Sequence, residues 1–204
     1  MHSPFDVVRN FEEAVAEYTG APYVVAVNSC TMALLLACKW YKDALYTKKS
    51  ISIPKRTYVS VPMSIKHAGF DVEFRDGEWL GSYQLSPLPV WDSARYFTQG
   101  MYHLFSLGMV CVSFHATKIL GDTQGGAILL SDPTAYEWLK RMRFDGRTEG
   151  VAPIYDSFTE IGYHCYMSPD VAARLLHKLS VLPKYNAPLP NDNYPDLSLI
   201  EVFK

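Results

Sequence analysis

The sequence predicts an α/β fold, in which helices pack against a central sheet. Short runs rich in β-branched residues alternate with stretches whose apolar residues recur at helical spacing, and this alternation is typical of α/β sheets. The chain has 204 residues, of which 49% are hydrophobic. That length and composition are sufficient for one domain with a sizeable buried core.

The predicted elements follow one another along the chain. Residues 5–18 carry apolar side chains at helical spacing with acids between them, and Gly20 supplies a stop. Residues 23–27 form a short β-branched run, and residues 31–41 are apolar enough for a helix packed on a sheet. The other predicted strands are 50–53, 71–74, 88–91, 109–113 and 127–130, and the other predicted helices are 136–144 and 169–182, the last with Ser168 as N-cap. We expect one domain over residues 1–182 and an irregular tail, rich in Pro and Asn, over residues 183–204.

Charge and composition argue against several classes of function. Nineteen Lys and Arg against 21 Asp and Glu give a net charge of -2, so neither nucleic acid nor an anionic membrane is an expected partner. No apolar run approaches the roughly 20 residues of a membrane-spanning helix. The first residues lack the basic start and apolar stretch of a secretory signal, which favours the cytoplasm. The four cysteines lack paired metal-ligand spacing, so we expect reduced thiols and no metal site.

Three positions combine residue types with a place in the predicted fold that suits chemistry. The turn 28–31, Asn-Ser-Cys-Thr, begins a helix, where backbone N–H groups and hydroxyls hold phosphate or simply cap the helix. Asp92 follows the predicted strand 88–91, at the end of a strand where α/β sheets place ligands, although a capping role is equally open. Lys118 follows the predicted strand 109–113 and precedes a Gly-rich turn, a place where shielding from water would favour a neutral amine that condenses with an aldehyde.

A phosphate grip, a carboxylate for a pyridine nitrogen and a lysine for an aldehyde are together what pyridoxal phosphate (PLP) requires. In this order the motifs resemble the DegT/DnrJ/StrS family of PLP-dependent sugar aminotransferases over most of residues 5–182. The similar segments are 11–34, which contains the Ser-Cys-Thr turn, Thr-Tyr-Val-Ser at 57–60, Trp-Asp-Ser-Ala at 91–94, Ser-Phe-His-Ala-Thr-Lys at 113–118, Gln-Gly-Gly-Ala at 124–127, and 162–168.

The resemblance implies a fold and a role for each matched residue. The fold would be a three-layer sandwich with a mostly parallel central sheet, like the large domain of fold-type I PLP enzymes, with the C-terminal small domain largely absent. Lys118 would carry the cofactor and move the proton, and Asp92 would hold the ring nitrogen protonated. Further cofactor contacts would come from Ser29, Cys30, Thr31, Tyr58, Arg95, Ser113 and the His164 of a neighbouring subunit. A homodimer would transfer an amino group from an amino acid, glutamate by expectation, to a nucleotide-linked keto sugar.

Two other functions stay open, one because of departures from the family pattern and one because relatives of the family include sugar dehydratases. Cys30 replaces a glycine of the phosphate turn, Arg95 stands where Gln or His is usual, His164 replaces an asparagine and Tyr166 an arginine. The stretch between residues 74 and 91 is also shorter than in the family. A catalytically degenerate chain that acts as a binding or assembly partner is therefore one alternative. A PLP-dependent sugar dehydratase is the other, but those relatives carry His in place of the lysine.

Other conspicuous residues have simpler interpretations. His115 lies beside Lys118 but could equally be a hydrogen-bonded core residue, so it is left out of the catalytic set. The basic residues 48, 49, 55 and 56 could attract a nucleotide diphosphate, although a solvated loop is the commoner reason for such a cluster. Arg141, Arg143 and Arg147 lie on or after a predicted helix and are interpreted as surface charges.

Overall fold

A computed structural model describes residues 3–44, 49–105, 108–191 and 194–203. Its helices are α1 (Asp6–Thr19), α2 (Cys30–Ala44), α3 (Ser60–His67), α4 (Pro133–Met142) and α5 (Pro169–Ser180). Its strands are β1 (Tyr23–Val27), β2 (Ser50–Pro54), β3 (Asp71–Arg75), β4 (Tyr83–Gln84), β5 (Val90–Asp92), β6 (Met109–Ser113) and β7 (Gly126–Leu130). Within these residues, no helix is long and apolar enough to span a bilayer.

The α/β class is confirmed, and the sheet is mixed rather than mostly parallel. The main sheet has the order β1-β7-β6-β5-β4, and β2 and β3 form a separate parallel pair. Among the described strands of the main sheet, β5 and β6 are the only neighbours that pair in parallel, because β7 is antiparallel to both β1 and β6, and β4 is antiparallel to β5. The strands β1, β5 and β6 nevertheless point in the same direction. The carboxyl ends of β1, β5 and β6 therefore meet at the same edge of the sheet.

The short stretch between β3 and β5 connects the two sheets. Backbone N–H and C=O groups of Ser52 in β2 and Ser86 exchange hydrogen bonds of 2.7 and 3.1 Å. On its other side, this stretch pairs with β5 through β4. Residues 83–86 thus lie between β2 and β5 and bond to both. The predicted strand 88–91 is observed as Val90–Asp92, because Pro87 and Pro89 lack the N–H groups that a strand donates.

Helices cover both faces of the sheet, which confirms the three-layer arrangement. Alternate residues of β1 face opposite layers, so Val25 and Val27 pack with α2 and α4, while Val24 and Ala26 pack with α1 and α5. This alternation follows from the two-residue period of a strand. The predicted helices 5–18, 31–41 and 169–182 agree with α1, α2 and α5, and only α3 was not expected.

Helix α4 begins three residues before the predicted helix 136–144. The carboxylate of Asp132 accepts hydrogen bonds from the N–H groups of Thr134 (2.8 Å) and Ala135 (3.2 Å), and Pro133 occupies the first helical position. A capping carboxylate followed by proline is a strong start signal. The helix ends at Met142, so Arg143 lies just beyond it.

Arg143 is not the surface charge that its position suggested, since only 1% of its area is exposed. Its guanidinium donates to the Glu12 carboxylate of α1, to the Ala26 carbonyl of β1 and, at 3.1 Å, to Glu149. Lys140 lies 3.2 Å from both carboxylates. Two cations and two carboxylates thus join α1, β1 and α4 inside the protein.

The residues after α5 lie along the body of the protein. The Tyr18 hydroxyl donates to the Pro183 carbonyl at 2.6 Å, and the N–H of Leu189 donates to the Arg95 carbonyl at 2.8 Å. Further on, Leu197 is fully buried and Phe203 packs edge-on against Phe74. The expected division at residue 182 stays a prediction, but the described tail residues are tied to the preceding fold.

Candidate functional site

A cavity of about 380 Å³ opens at the edge of the sheet where β5 and β6 end. Asp92 is the last residue of β5 and Ser113 the last of β6, and the parallel pairing of these strands places both at this edge. The other lining residues come from α2 and its start, the segment before α3 and the first residues of α3, the stretch after β3, the residues after β5, the loop after β6 and the tail. The predicted residues that line it are Ser29, Cys30, Thr31, Tyr58, Asp92, Arg95, Ser113 and Lys118.

Asp92 is 5% exposed and is held by one donor on each carboxylate oxygen. The N–H of Ala94 donates to Oδ1 at 3.0 Å, and the hydroxyl of Tyr83 donates to Oδ2 at 2.7 Å. Burial raises the pKa of Asp92, while these two hydrogen bonds and the nearby charge of Lys118 oppose the rise. A buried carboxylate with a raised pKa at a cavity wall is a functional-site candidate.

Lys118 is carried by the loop that runs from Ser113 to Gly125. The N–H of Lys118 donates to the His115 carbonyl and that of Asp122 to the Phe114 carbonyl, so the loop is a compact turn. The Lys118 side chain is half-buried and faces the same cavity as Asp92. His115 is exposed rather than in the core, which excludes the core interpretation of this residue.

The start of α2 supplies the side of the cavity suited to an anion. The Ser29 hydroxyl accepts from the N–H of Met32 at 3.2 Å, as a helix cap does, and the Thr31 hydroxyl lies 2.8 Å from that of Ser60 at the start of α3. An α-helix leaves its first N–H groups without intrahelical partners, which suits a phosphate. Both alternatives for this turn are therefore compatible, because one hydroxyl caps the helix while the turn still faces the cavity.

Cys30 occupies the place where a glycine was expected, and its consequence is local. Burial raises the pKa of the Cys30 thiol well above its usual value, so the side chain is a neutral apolar group in the cavity wall. The backbone of the turn packs closely against Gly126 of β7, where an added Cβ would lie 2.4 Å from the Cys30 nitrogen. Only glycine fits β7 against the turn at this point.

Arg95 and Tyr58 complete the predicted set in the cavity. Arg95 is 6% exposed, and its guanidinium lies 3.4 Å from the hydroxyl of Tyr194. Tyr58 lies at the opening, with 57% of its area exposed. The cavity thus contains an ammonium group, a carboxylate, a guanidinium, several hydroxyls and an exposed aromatic ring.

His164 lies apart from this cavity in the single chain. It lines a second cavity of about 260 Å³, which shares Gln124 and Gly125 with the first. The His164 side chain is exposed, and its Nδ1 lies 3.0 Å from a carboxylate oxygen of Asp145. The structure therefore brings eight of the nine predicted residues together.

Thr57, Trp79, Tyr83 and Tyr194 were not among the site residues predicted from the sequence, although each lines the cavity or contacts a residue that does. Tyr83 donates a hydrogen bond to Asp92, and the Thr57 hydroxyl lies within hydrogen-bond distance of that of Tyr83. Trp79 and Tyr194 stack at the rim of the cavity with ring centroids 6.4 Å apart. Tyr83 contacts the cavity only through Asp92, whereas the other three line it. Tyr83 and Trp79 belong to the short stretch after β3 and Tyr194 to the tail. These segments have no periodicity that predicts where their side chains lie.

Comparisons with solved structures support the fold. PseC, an aminotransferase of Helicobacter pylori involved in pseudoaminic acid biosynthesis, aligns with a TM-score of 0.72 at 19% identity, over 87% of this chain and 58% of that one. The sugar aminotransferase CalS13 of Micromonospora echinospora gives 0.70 at 19% identity, over 87% and 61%. A Bacillus cereus protein described as a PLP-dependent aminotransferase gives 0.68 at 19% identity, over 87% and 59%. The chain thus spans about 60% of the length of these structures.

Comparison by sequence gives the family. A search of curated protein sequences found no match. A family profile, however, matches residues 3–89 and 105–188, which is most of the chain and includes every predicted site residue except Asp92 and Arg95. Those two lie in the gap between the matched segments, where the structure nevertheless places them in the cavity. The chain belongs to the DegT/DnrJ/EryC1/StrS aminotransferase family.

Proposed function

We propose that this chain is a PLP-dependent aminotransferase that transfers an amino group from an amino acid, by expectation glutamate, to a nucleotide-linked keto sugar. The observation that carries the proposal is that Lys118, Asp92 and the start of α2 face one cavity. These are the three groups that PLP requires. Family membership supports the same conclusion.

The cavity residues fit the cofactor by their chemistry. Ser29, Thr31 and Ser113 offer hydroxyls and, at the start of α2, backbone N–H groups for the phosphate. The exposed ring of Tyr58 can stack on the cofactor ring, and the guanidinium of Arg95 can face an anionic ring oxygen. Asp92 supplies the acceptor for the pyridine nitrogen. When bound, PLP supplies an electron-accepting ring that stabilises negative charge on the reacting carbon.

The chain's own residues then hold and move protons. The Asp92 carboxylate keeps a proton on the group facing it, because a buried negative charge stabilises a neighbouring positive one far more than it would in water. The Nζ of Lys118, as a neutral amine, would hold PLP, and the same Nζ could take a proton from one substrate atom and deliver it to another. The placement of Lys118 and Asp92 in one cavity allows both steps at one site.

The rim supports a sugar nucleotide as the acceptor. The stacked rings of Trp79 and Tyr194 lie between the main cavity and a neighbouring one of about 500 Å³, to which Arg56 contributes a guanidinium. Aromatic faces suit a base or a sugar, and a guanidinium suits a phosphate. Lys55, from the same basic cluster, is instead paired with Asp76 and Asp196, and Lys48 lies outside the described residues.

A second copy of the chain is the partner we propose. His164 is exposed, and the segment that precedes it exposes four large apolar side chains, Ile154, Tyr155, Phe158 and Ile161. Exposed apolar side chains concentrated in one segment are typical of an interaction surface. A homodimer that buries this segment would bring His164 towards the partner's site, as the resemblance implies.

The decisive experiment is to add PLP to the purified protein, record its absorbance, reduce with borohydride and locate the adduct by mass spectrometry. We expect an absorbance band and a pyridoxyl group on Lys118. Lys118→Ala should lose both the adduct and transamination, whereas Lys66→Ala, which removes an exposed lysine of α3, should retain them. A protein without band or adduct would instead support the non-catalytic alternative, and undiminished turnover by Lys118→Ala would exclude the mechanism.

A further inference from the structure

We propose that Tyr83 is a positioning residue that holds Asp92 ionised and oriented towards the cavity. The inference rests on the proposed function, since it is the role of Asp92 there that gives the contact its importance. Tyr83 does not line the cavity itself, and none of the recognised motifs contains it. Its hydroxyl acts only through the carboxylate that it contacts.

Sheet pairing places the phenol beside the carboxylate. Tyr83 and Asp92 are directly opposite each other in the antiparallel pair of β4 and β5. Opposite residues of such a pair point to the same face, with Cβ atoms about 5 Å apart. The Tyr83 ring is held by the Trp79 ring, which packs edge-on against it at 4.7 Å between centroids. Backbone and side-chain contacts therefore fix the direction of the Tyr83 hydroxyl.

The hydroxyls of Thr57 and Tyr83 and the carboxylate of Asp92 are linked by two successive hydrogen bonds, each donated in the direction of Asp92. Tyr83 donates to Oδ2 of Asp92 at 2.7 Å, so its oxygen is left to accept, and the Thr57 hydroxyl lies 2.6 Å from it. Thr57 is 1% exposed and Tyr83 4%, so water does not compete with these bonds. A donor whose own oxygen accepts a hydrogen bond is polarised and donates more strongly. The chain from Thr57 through Tyr83 thus favours the ionised form of Asp92.

Burial has the largest effect on the pKa of Asp92, and the hydrogen bond from Tyr83 opposes it. Among the described residues, the titratable groups that face Asp92 are Tyr83 from β4, Lys118 from the loop after β6, Cys30 from α2 and Cys111 from β6. Burial keeps both thiols neutral by raising their pKa values. In the described part of the chain, the groups that stabilise the carboxylate are therefore Lys118, the N–H of Ala94 and the hydroxyl of Tyr83.

Tyr83→Phe tests the proposal because phenylalanine keeps the ring and its packing but removes the donor. Losing a hydrogen bond to the charged form raises the pKa of a carboxyl group. The loss of one bond to an ionised group corresponds to an increase of about one pH unit. Asp92 would then bind a proton at a higher pH than in the wild type. A role limited to filling the core would leave this titration unchanged.

The measurement is a ¹³C NMR titration of the aspartate carboxyl groups in the full chain without added cofactor. The Asp92 resonance is assigned by its loss in Asp92→Asn. Thr57→Val is the matched control, because it removes the donor to Tyr83 but leaves the bond to Asp92, so we expect a smaller increase in the same direction. If Tyr83→Phe does not fold, Thr57→Val decides the question: an increase in the pKa of Asp92 supports the inference, and an unchanged pKa overturns it.

The affinity for PLP, measured by equilibrium dialysis on the same proteins, separates this inference from the proposed function. We expect Tyr83→Phe to bind PLP about ten-fold more weakly than the wild type. An unchanged Asp92 titration in folded Tyr83→Phe would overturn the inference even if PLP binds. A wild type that takes no PLP on Lys118 would overturn the proposed function, while the titration would still decide whether Tyr83 controls the charge of Asp92.

Discussion

Asp92 and Arg143 are both buried charges, but their surroundings differ. Arg143 is enclosed by the carboxylates of Glu12 and Glu149 and by the Ala26 carbonyl. Burial lowers the pKa of Arg143, but the two carboxylates more than compensate and raise it above its ordinary value. For Asp92, burial outweighs the two hydrogen bonds and the charge of Lys118. The pKa of Asp92 is therefore raised, which favours the neutral carboxyl group. The charge of Arg143 is thus balanced by carboxylates of the fold, whereas the charge of Asp92 is balanced only in part.

The difference teaches how to distinguish a structural charge from a functional one in this molecule. A buried charge that is paired with carboxylates of the fold gives the fold its arrangement, because removing it leaves its partners unpaired. A buried carboxylate that has two donors and faces a cavity still has acceptor capacity for a ligand. The first should therefore respond to substitution through stability, and the second through activity.

Replacing Arg143 with Met should give the largest effect on the free energy of unfolding. The variant leaves Glu12 and Glu149 buried with Lys140 and, on Glu149 alone, Arg9 as the remaining cations of the network. Breaking a buried pair in this way costs about 3–5 kcal/mol. Urea denaturation would measure the loss. Arg141→Met is the matched control, since Arg141 pairs with Glu160 near the surface and should contribute about 1 kcal/mol or less. Equal losses in the two variants would contradict the structural role of Arg143.

Replacing Asp92 with Asn should have the opposite profile. The amide fills the same space, so the free energy of unfolding should change by no more than about 1 kcal/mol. The rate of amino transfer from the donor should fall roughly 10²–10³-fold, because the charge that holds the proton is lost. Asp71→Asn, at an exposed position of β3, should affect neither quantity. An Asp92→Asn protein that unfolds easily but reacts at the normal rate would make Asp92 a structural residue.

The same comparison shows which features the sequence could predict. Asp92 was recognised because it directly follows a predicted strand, and Lys118 because it lies in the loop after another. Their roles came from motifs that resemble the family pattern. The short motifs around them depend only on neighbouring residues. Arg143 was misinterpreted because the residue after a helix is usually exposed. Its burial depends on Glu12, 131 positions away in the chain.

The support of Asp92 illustrates a further limit. Tyr83 lies on a strand of two residues, too short to show alternation, and its partner across the sheet depends on how the stretch after β3 fills the space beside β5. Tyr194 reaches the cavity because the tail is fixed by contacts such as that of Leu197 with Lys55. Long-range contacts of this kind leave no periodic pattern in the sequence. The predicted mostly parallel sheet was wrong for the same reason, since strand direction depends on connections between strands.

The smallest effect on stability is expected for Asp122, which is buried like Arg143 and Asp92 but is paired with two cations that are partly exposed. Its carboxylate accepts from Arg174 at 2.9 Å and Lys178 at 2.8 Å, and so ties the loop of Lys118 to α5. These hydrogen bonds, that of Arg174 first, lower the pKa of Asp122. A carboxyl group with a lowered pKa in the folded state stabilises the protein above the unfolded value of about 3.9, and this contribution is lost as the pH falls below it.

Asp122→Asn should therefore lower the Tm by a few degrees at pH 7, and the difference from the wild type should shrink in acid, as thermal unfolding monitored by circular dichroism would show. Asp170→Asn is the control, because Asp170 pairs with the same Arg174 but lies on α5 and does not hold the loop. The loop keeps other contacts with α5 in Asp122→Asn, since Lys178 also donates to the Gly121 carbonyl at 2.6 Å and Arg174 to the Thr123 hydroxyl at 3.5 Å. A Tm difference that persisted undiminished in acid would mean that Asp122 acts through packing rather than through its charge.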